Sequence, residues 1–404
     1  MEISRKLWVM CVLFAFAVPA YADDLSGFKQ AYAQYERYID ANETTLALES
    51  IRDAYRFGVR LFGKKSVNTA NLAINHAKLL NDQNDFKPAR KILKGKDQIL
   101  ASHYGEDGVE LVPLLIEMGR AAKEPAKALS HLQRAGSLSR GYEDNLMEAQ
   151  KNFEIMFILL ARGGASRTEP YVDRAFEIYQ DRLAANDLRL GLTAYHKARW
   201  ATTRGEFDQT LQYLHQSLTA FEGPVAQPMG ELERGVRVQL VQTLERLGRS
   251  REATRHLLTI GAAIPWSATG GPVYRGQTNL RAATLAPLVQ GEIRLSFTVD
   301  ENGFVVAPRV LESTNSELND PALEMVQRFR YVPRFADDHA VATPDVEYTE
   351  SFSPAVTGQK APRRFKRPGE RGFMNTDMFD ISDCGSDTNN SQSCDRLDNL
   401  KGGK

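Results

Sequence analysis

A helical pattern that recurs about every 42 residues runs through residues 24–265 and constrains the fold of this chain more than any other feature. Gly63 and Gly105 recur at this spacing, and so do Ala47 and Ala89. In several segments a small residue is followed four positions later by an apolar one, which puts both on one face of a helix. Repeats of this kind bury their apolar faces against their neighbours, so the pattern predicts an array of helix pairs.

The repeated segments resemble tetratricopeptide repeats (TPRs). Their turns combine glycine, an acidic residue and an aromatic residue, as in Gly205-Glu206-Phe207, and the spacing is similar to the long-helix repeats of kinesin light chains. The sequence predicts five or six helix pairs, and the resemblance implies that they form a solenoid with a concave peptide-binding face. The stretch from Ser137 to Glu169 fits this register poorly. The motif occurs in Ala47–Ala54, Asn84–Leu93, Ala128–Ala135, Gly205–Leu214 and Gly248–Leu257.

A different pattern begins at Gly291, where apolar and polar residues alternate as far as Val299. This period of two predicts a half-buried strand. The sequence Asp-Glu-Asn-Gly at 300–303 then predicts a tight Asn-Gly hairpin, because both central residues of such a turn can take positive φ. The returning strand is predicted over 304–313, with Pro308 at its open edge or at a bulge because proline cannot donate to a ladder.

A helix is predicted after this hairpin, capped by Asn319 or Asp320 and stopped by Pro333. Its apolar stripe consists of Leu318, Ala322, Met325, Val326 and Phe329. Alternation returns over 346–352 and predicts a third strand. The predicted module is therefore β-β-α-β, with one apolar sheet face covered by one helix. The predicted fold class is mainly α, a TPR-like helical solenoid, followed by a small α+β module.

The module resembles the C-terminal domain of the TonB energy transducers. The entry Pro272-x-Tyr274 is similar to the Pro-x-Tyr-Pro of that family, except that Arg275 replaces the second proline. The other matching features are Asp-x-x-Gly at 300–303, Val310-x-x-Ser313, Ala322-Leu323 at the start of the helix, and Phe329-Arg330-Tyr331-Val332-Pro333.

The TonB resemblance implies that the third strand takes up a short peptide from an outer-membrane receptor by strand addition. Carried over by position, the candidate peptide-binding residues are Val346, Tyr348, Ser351 and Phe352. An alternative remains open, in which Val346, Tyr348 and Phe352 only pack under the helix.

The family's transducers have a membrane anchor and a Pro-rich spacer, whereas this chain has an apparent signal and a helical array in their place. The sequence therefore predicts a periplasmic adaptor that assists TonB-dependent transport. Its partners would be a TonB-dependent receptor and a transducer or motor subunit. An envelope scaffold unrelated to energy transduction, with the module contacting protein or peptidoglycan, is the alternative. Two modules could pair through their edge strands, so a homodimer is a further open alternative.

Residues 1–22 are predicted to be a secretory signal. Arg5 and Lys6 precede a 12-residue apolar run, and Ala20-Tyr21-Ala22 forms a small-x-small cleavage site. Without cleavage, the run would anchor the chain in the inner membrane, which is the alternative to a periplasmic location.

The helical array is predicted over 23–265, the TonB-like domain over 266–354 and a disordered tail over 355–404. In the tail, Cys384 and Cys394 are candidates for a disulfide, as in other exported chains.

Several function classes find no support in the sequence. Lysine plus arginine and aspartate plus glutamate number 51 each, so no nucleic-acid footprint is expected. The seven histidines lack metal-ligand spacing, and no cofactor or metal is expected. The stretch Gly58 to Ser66 approaches a phosphate-binding loop, but Lys65 occupies the position of its hydroxyl residue and no buried strand precedes it. No nucleophile or carboxylate pair stands out, so the chain is not expected to be an enzyme.

Overall fold

The computed structural model describes residues 3–221, 229–266, 270–276 and 290–352, with side chains from Ala22 onward. The chain divides into two compact units, Met1–Ile178 and Tyr179–Lys404. Helices form the described part of the first unit and the beginning of the second, and a small antiparallel sheet with one helix follows them. The predicted class, a mainly helical region followed by a small α+β module, is confirmed.

Thirteen α-helices precede the sheet within the described residues. The stretch Ser137 to Glu169, which the repeat register does not place, contains one of them. The helices are α1 (Ile3–Asp40), α2 (Thr44–Phe62), α3 (Val67–Asp82), α4 (Phe86–Leu93), α5 (Lys96–Tyr104), α6 (Val112–Ala121), α7 (Pro125–Leu138), α8 (Asn145–Ala161), α9 (Glu169–Arg182), α10 (Leu188–Arg204), α11 (Phe207–Phe221), α12 (Glu231–Arg246) and α13 (Ser250–Ala263).

The small and apolar residues of the repeated motif lie where helices pack. Consecutive helices contact one another in pairs, such as α1 with α2, α6 with α7, α10 with α11 and α12 with α13. The motif residues are buried because they face the partner helix, and their side chains set how closely the two helices approach. The buried motif residues are Ala47, Ile51, Ala54, Ala89, Leu93, Ala128, Leu132, Ala135, Thr210, Leu211, Leu214, Ala253 and Leu257.

Two glycines predicted to be equivalent end helices in the same way. Gly63 follows α2 with φ of 81° and ψ of 155°, and Gly105 follows α5 with φ of 85° and ψ of 164°. Side chains rarely adopt this region of positive φ, so glycine is the residue that can end a helix here. Gly63 therefore has a structural role, which agrees with the rejection of a phosphate-binding loop.

Helix α1 runs through the predicted signal and its cleavage site as one 38-residue helix. Within the described residues, every helix falls short of the length and apolar character needed to cross a membrane. The signal, its cleavage and its alternative as an anchor stay predictions.

The sheet of the second unit has three antiparallel strands, one central strand between two edge strands. Strand β1 (Gly291–Val299) is central, β2 (Val305–Ser313) is one edge, and β5 (Thr343–Phe352) is the other. The buried apolar side chains of β1 point to one face, where helix α14 (Asn319–Gln327) packs on β1 and β2. A small hairpin of β3 (Arg334–Ala336) and β4 (His339–Val341) precedes β5 and was not predicted.

The hairpin between β1 and β2 differs from the predicted Asn-Gly turn. Only Gly303 has positive φ, at 86°, whereas Asn302 does not. The turn is instead organised by Asp300, whose carboxylate accepts hydrogen bonds from the backbone N–H groups of Asn302 at 2.9 Å and Phe304 at 2.8 Å. An aspartate side chain that accepts hydrogen bonds from the backbone N–H groups of the following residues forms a turn by itself. This turn competes with the Asn-Gly geometry.

The helix of the module has the predicted buried stripe, but its predicted cap is wrong. Neither Asn319 nor Asp320 caps α14, because a short 3₁₀ turn, Ser316–Leu318, leads into it. Asn315 caps that turn, and its side chain accepts a hydrogen bond from the Glu317 N–H at 3.0 Å. Pro308 lies as predicted, on an edge strand and at a bulge, where Ala307 has φ of 50°.

Candidate functional site

The candidate site is the outer edge of β5. This strand pairs with β1 on one side only, and within the described residues no strand pairs with its other side. Alternate backbone N–H and C=O groups of an edge strand point away from the sheet, so they can pair with an added strand. The edge is continuous from Val346 to Phe352, because the one interruption, Asp345 with φ of 54°, lies near the start of the strand.

The four predicted peptide-binding residues all lie in β5, but they point to two faces. Val346, Tyr348 and Phe352 are half-buried and pack against the module core, and the Tyr348 ring meets Phe329 edge-on at 5.2 Å. Ser351 is exposed on the opposite face. In strand addition the affinity comes from the backbone of the edge, so inward packing of these side chains fixes the strand and leaves its outer backbone groups accessible.

The solvent face of the sheet carries ion pairs that run across the strands. Arg294 of β1 contacts Glu312 of β2 and lies 3.5 Å from Glu347 of β5. Arg309 of β2 pairs with Asp345 of β5 at 2.7 Å. These pairs hold the exposed face in register, and exposed pairs of this kind contribute about 0.2–1 kcal/mol each.

The two edge strands of the sheet differ in the length of regular backbone that is available for pairing with an added strand. In β2 the pairing with β1 shifts register twice inside the strand, at Leu311 and at Ala307 and Pro308, so that β2 has no regular stretch as long as Val346 to Phe352. Helix α14 also packs against β2. Proline and bulges are the usual means by which edge strands are protected from pairing. The β5 edge is therefore the better template for an added strand.

A buried arginine, Arg330, joins the module to helices α12 and α13 within the second unit. Arg330 as a whole is 1% exposed, and its guanidinium pairs with Glu245 of α12. It also donates to the Thr254 hydroxyl of α13 at 2.7 Å and to the Asn302 carbonyl at 3.0 Å. The guanidinium carbon lies 3.7 Å from the centre of the Phe304 ring. One side chain thus bridges two helices and the β1–β2 turn.

The electrostatics of this contact depend on Glu245. Burial lowers the pKa of the Arg330 guanidinium to about 10, which still leaves it charged at neutral pH. A buried charge is costly unless it is paired and hydrogen-bonded, and Glu245 supplies the opposite charge. Removing one partner would leave the other charged and buried.

The backbone at Arg330 holds the entry segment of the module in place. The Arg330 N–H donates to the Tyr274 carbonyl at 2.8 Å, and the Arg330 carbonyl accepts from the Val273 N–H at 2.8 Å. Val273 and Val332 are part of the core of α10–α13, whereas Trp266, just after α13, packs against the core of the module. Helices α10–α13 and the module therefore pack against each other through apolar side chains.

Close approach of backbone strengthens this packing at two glycines. A Cβ on Gly261 of α13 would lie 2.6 Å from the Pro333 carbonyl oxygen, and a Cβ on Gly303 would collide with the Tyr331 carbonyl oxygen. The Tyr331 N–H donates to the Gly303 carbonyl at 2.9 Å. Both positions need glycine because another backbone occupies the space of a side chain.

Sequence reasoning missed the role of Arg330, although it singled out the Phe329–Pro333 motif. The signal was present, since a basic residue between two aromatic residues of an apolar stripe must find a counter-charge when it is buried. The partner could not be found, because Glu245 is 85 residues away and carries no pattern of its own.

Other predicted sites remain untested. Cys384 and Cys394 lie outside the described residues, as does the tail from 355, so the disulfide stays a prediction. Among the residues described, no group of three or more His, Cys, Asp or Glu side chains could hold a metal ion. Lys65 and Ser66 line a shallow cavity of about 500 Å³ beside His103, with no strand leading into it.

The fold and its open edge define a small α+β interaction module packed on a pair of helices. Residues 288–349 match the family model described as Gram-negative bacterial TonB protein C-terminal. The match confirms the TonB-like domain and indicates a TonB-related role in protein–protein interaction. No curated protein matches the chain. One similar solved structure is the crystal structure of BtubC (BKLC) from P. vanneervenii, at 14% identity and a TM-score of 0.40, over 55% of this chain and 87% of that chain.

Proposed function

We propose that this protein is a periplasmic adaptor whose TonB-type module takes up a peptide strand at the β5 edge and whose TPR-like helices hold a second partner. The peptide would come from a TonB-dependent receptor of the outer membrane, and the second partner would be a transducer or motor subunit. The adaptor would thereby assist TonB-dependent transport.

The observation that carries the proposal is the open edge of β5 in a domain that matches the TonB family. The edge offers seven consecutive residues, Val346 to Phe352, whose inward side chains are fixed by the module core. A preformed edge loses little conformational freedom when a strand is added, which favours binding. A single added strand buries a small area, so a weak and transient complex is expected.

The packing of the module constrains how the proposal can be tested. Truncation after Trp266 would remove Val273 and Val332 from the core of α10–α13, and so would damage the helices as well as the module. The test therefore uses single substitutions in the full chain. Because neighbouring residues of a strand direct their N–H groups to opposite sides, either Thr349→Pro or Glu350→Pro removes an outward donor of β5 and leaves the ladder to β1 intact.

The experiment is a pull-down from a detergent extract of the source bacterium's envelope, with bound proteins identified by mass spectrometry. The bait is the full chain, as the wild type or as a proline variant. Of Thr349→Pro and Glu350→Pro, the variant used is the one whose β1 amides stay protected from hydrogen exchange. The matched control is the corresponding variant of β2, either Glu312→Pro or Ser313→Pro, because these two neighbours pair regularly with Arg294 and Ile293. We expect the wild type and the β2 variant to capture TonB-dependent receptors, and the β5 variant to lose them.

Capture of the same receptors by all three proteins would contradict strand addition at β5. Capture of envelope assembly proteins with no receptor, transducer or motor subunit would favour the alternative function, an envelope scaffold that uses the module only as a contact surface.

A further inference from the structure

Arg275 lies against two side chains of β5, although it belongs to the entry segment and not to the sheet. Its guanidinium carbon is 5.6 Å from the centre of the Tyr348 ring, and its Nη1 is 3.9 Å from Glu350 Oε2. Tyr348 and Glu350 share one face of β5, because they are two residues apart in the strand. The backbone bonds between Tyr274 and Arg330 hold the segment that positions Arg275.

The contact of Arg275 with β5 is an ion pair without a hydrogen bond. A separation of 3.9 Å is too long for a hydrogen bond, and Glu350 also accepts one from the Tyr348 hydroxyl. The Arg275 side chain is 47% exposed. The guanidinium lies within cation–π distance of the Tyr348 ring, and a planar guanidinium presents several donors to a carboxylate.

The charges around β5 make Arg275 distinctive. The strand itself contains Asp345, Glu347 and Glu350 but neither lysine nor arginine. On the solvent face, Arg294 and Arg309 are engaged by carboxylates of the sheet. On the face that carries Tyr348, the cation in contact with the described part of the strand is Arg275.

We propose that Arg275 determines which strand the β5 edge accepts, by selecting an acidic side chain at the position beside Tyr348. This inference rests on the proposed function. A residue of an added strand directly opposite Tyr348 lies about 4.5–5.5 Å from it, Cβ to Cβ, within reach of the guanidinium above the ring. An aspartate or glutamate there can pair with Arg275 in a bidentate manner, whereas a lysine there meets a like charge.

The test is a selection of ten-residue peptides from a displayed random library, with the full chain as the target. Three targets are compared, namely the wild type, Arg275→Glu and Arg328→Glu. Arg328 is the matched control, because its side chain is 49% exposed and pairs with Glu324 on α14. We expect the wild type and the control to enrich Asp or Glu at one fixed position, and Arg275→Glu to enrich Lys or Arg there.

Individual peptides then give the size of the effect. Changing the selected acidic residue to lysine should weaken binding to the wild type by about tenfold, since one partly exposed attraction becomes a repulsion. Arg275→Glu should restore binding of the lysine peptide. Hydrogen exchange of the β5 amides in each complex shows whether the peptide lies on that edge.

The outcomes separate this inference from the proposed function. If the wild type retains no peptide, or if bound peptides leave the β5 amides unprotected, strand addition fails and the role of Arg275 fails with it. If peptides protect β5 but the wild type and Arg275→Glu enrich the same residues, only the role of Arg275 is overturned.

Discussion

Each of the two units buries an arginine–carboxylate contact, but the two contacts join different kinds of neighbours. In the first unit, Glu117 of α6 accepts a hydrogen bond from the Asn81 amide of α3 at 2.7 Å and lies 3.3 Å from Arg120. In the second unit, Arg330 of the module pairs with Glu245 of α12. The first network joins two helices, α3 and α6, whereas the second contact joins a helix to a sheet domain.

The two contacts also differ in what remains when one partner is lost. Arg120 has a second carboxylate, Asp82, and its side chain is 20% exposed, so water already shares in its solvation. The Arg330 side chain is 2% exposed, and Glu245 is the carboxylate that it pairs with in the described residues. The comparison predicts that the first network tolerates substitution and that the second does not.

Arg330→Met should have the largest effect on stability. It leaves Glu245 charged and buried without its counter-charge, which typically costs about 3–5 kcal/mol. We expect urea denaturation of the full chain to show this loss, and hydrogen exchange to rise together in α12, α13 and the sheet. Coincident exchange would show that the helices and the module unfold as one unit.

Two further variants make this prediction specific. Arg328→Met, at an exposed position, should cost less than about 1 kcal/mol. The double variant Arg330→Met with Glu245→Gln should recover part of the loss, because it no longer buries an unpaired charge. Equal costs for Arg330→Met and Arg328→Met would show that the buried pair does not hold the module to α12.

Gly303→Ala tests the same junction through its backbone and should cost about 2–4 kcal/mol. The alanine would need positive φ, and its Cβ would collide with the Tyr331 carbonyl oxygen. Gly205→Ala is the matched control, since Gly205 has φ of 76° and no atom within 4 Å of a Cβ. It should lose only about 1 kcal/mol by urea denaturation. A similar loss at both glycines would mean that the close approach at Gly303 adds nothing.

The features of the fold that could be predicted from the sequence are those that recur at a regular spacing. The inward positions of β1 and the stripe of α14 follow from spacings of two and of three to four residues, and Gly63 and Gly105 follow from the repeat. These patterns arise because one face of each element is buried, and the chain records this within a few residues.

The features that could not be predicted depend on residues far apart in the chain. The β3–β4 hairpin has strands of three residues joined at Asp337 and Asp338, too short for alternation to show. The pairing of Arg330 with Glu245 and the place of Arg275 beside Tyr348 depend on how the elements pack. A charged residue has no periodic signal that identifies its partner.

Acid should weaken the first unit through His76 of α3. Burial, with a smaller effect of nearby Arg52, lowers the pKa of His76 to about 4, below its usual value near 6.5. The unfolded chain therefore binds a proton first, and this histidine's contribution to stability is lost as the pH falls from about 6.5 towards 4. The free energy of unfolding of the wild type should fall between pH 7 and pH 5. In His76→Met this fall should be smaller by about 1–2 kcal/mol. The control His103→Met, at an exposed position, should leave the loss unchanged, and an equal reduction in both variants would contradict the role of burial.

Glu117→Gln should have the smallest effect and so sharpens the contrast with Arg330→Met. Burial raises the pKa of Glu117, although Arg120 acts in the opposite direction, so the folded state favours the neutral form of this side chain more than the unfolded chain does. The stability that the protonated form contributes is lost as the pH rises through the raised pKa, and glutamine, which stays neutral, does not lose it. Because Arg120 keeps Asp82, urea denaturation at pH 7 should show a change below about 1 kcal/mol. A loss as large as that of Arg330→Met would mean that the second carboxylate and the partial exposure of Arg120 do not protect the first network, and the distinction between the two contacts would have to rest on their position in the fold alone.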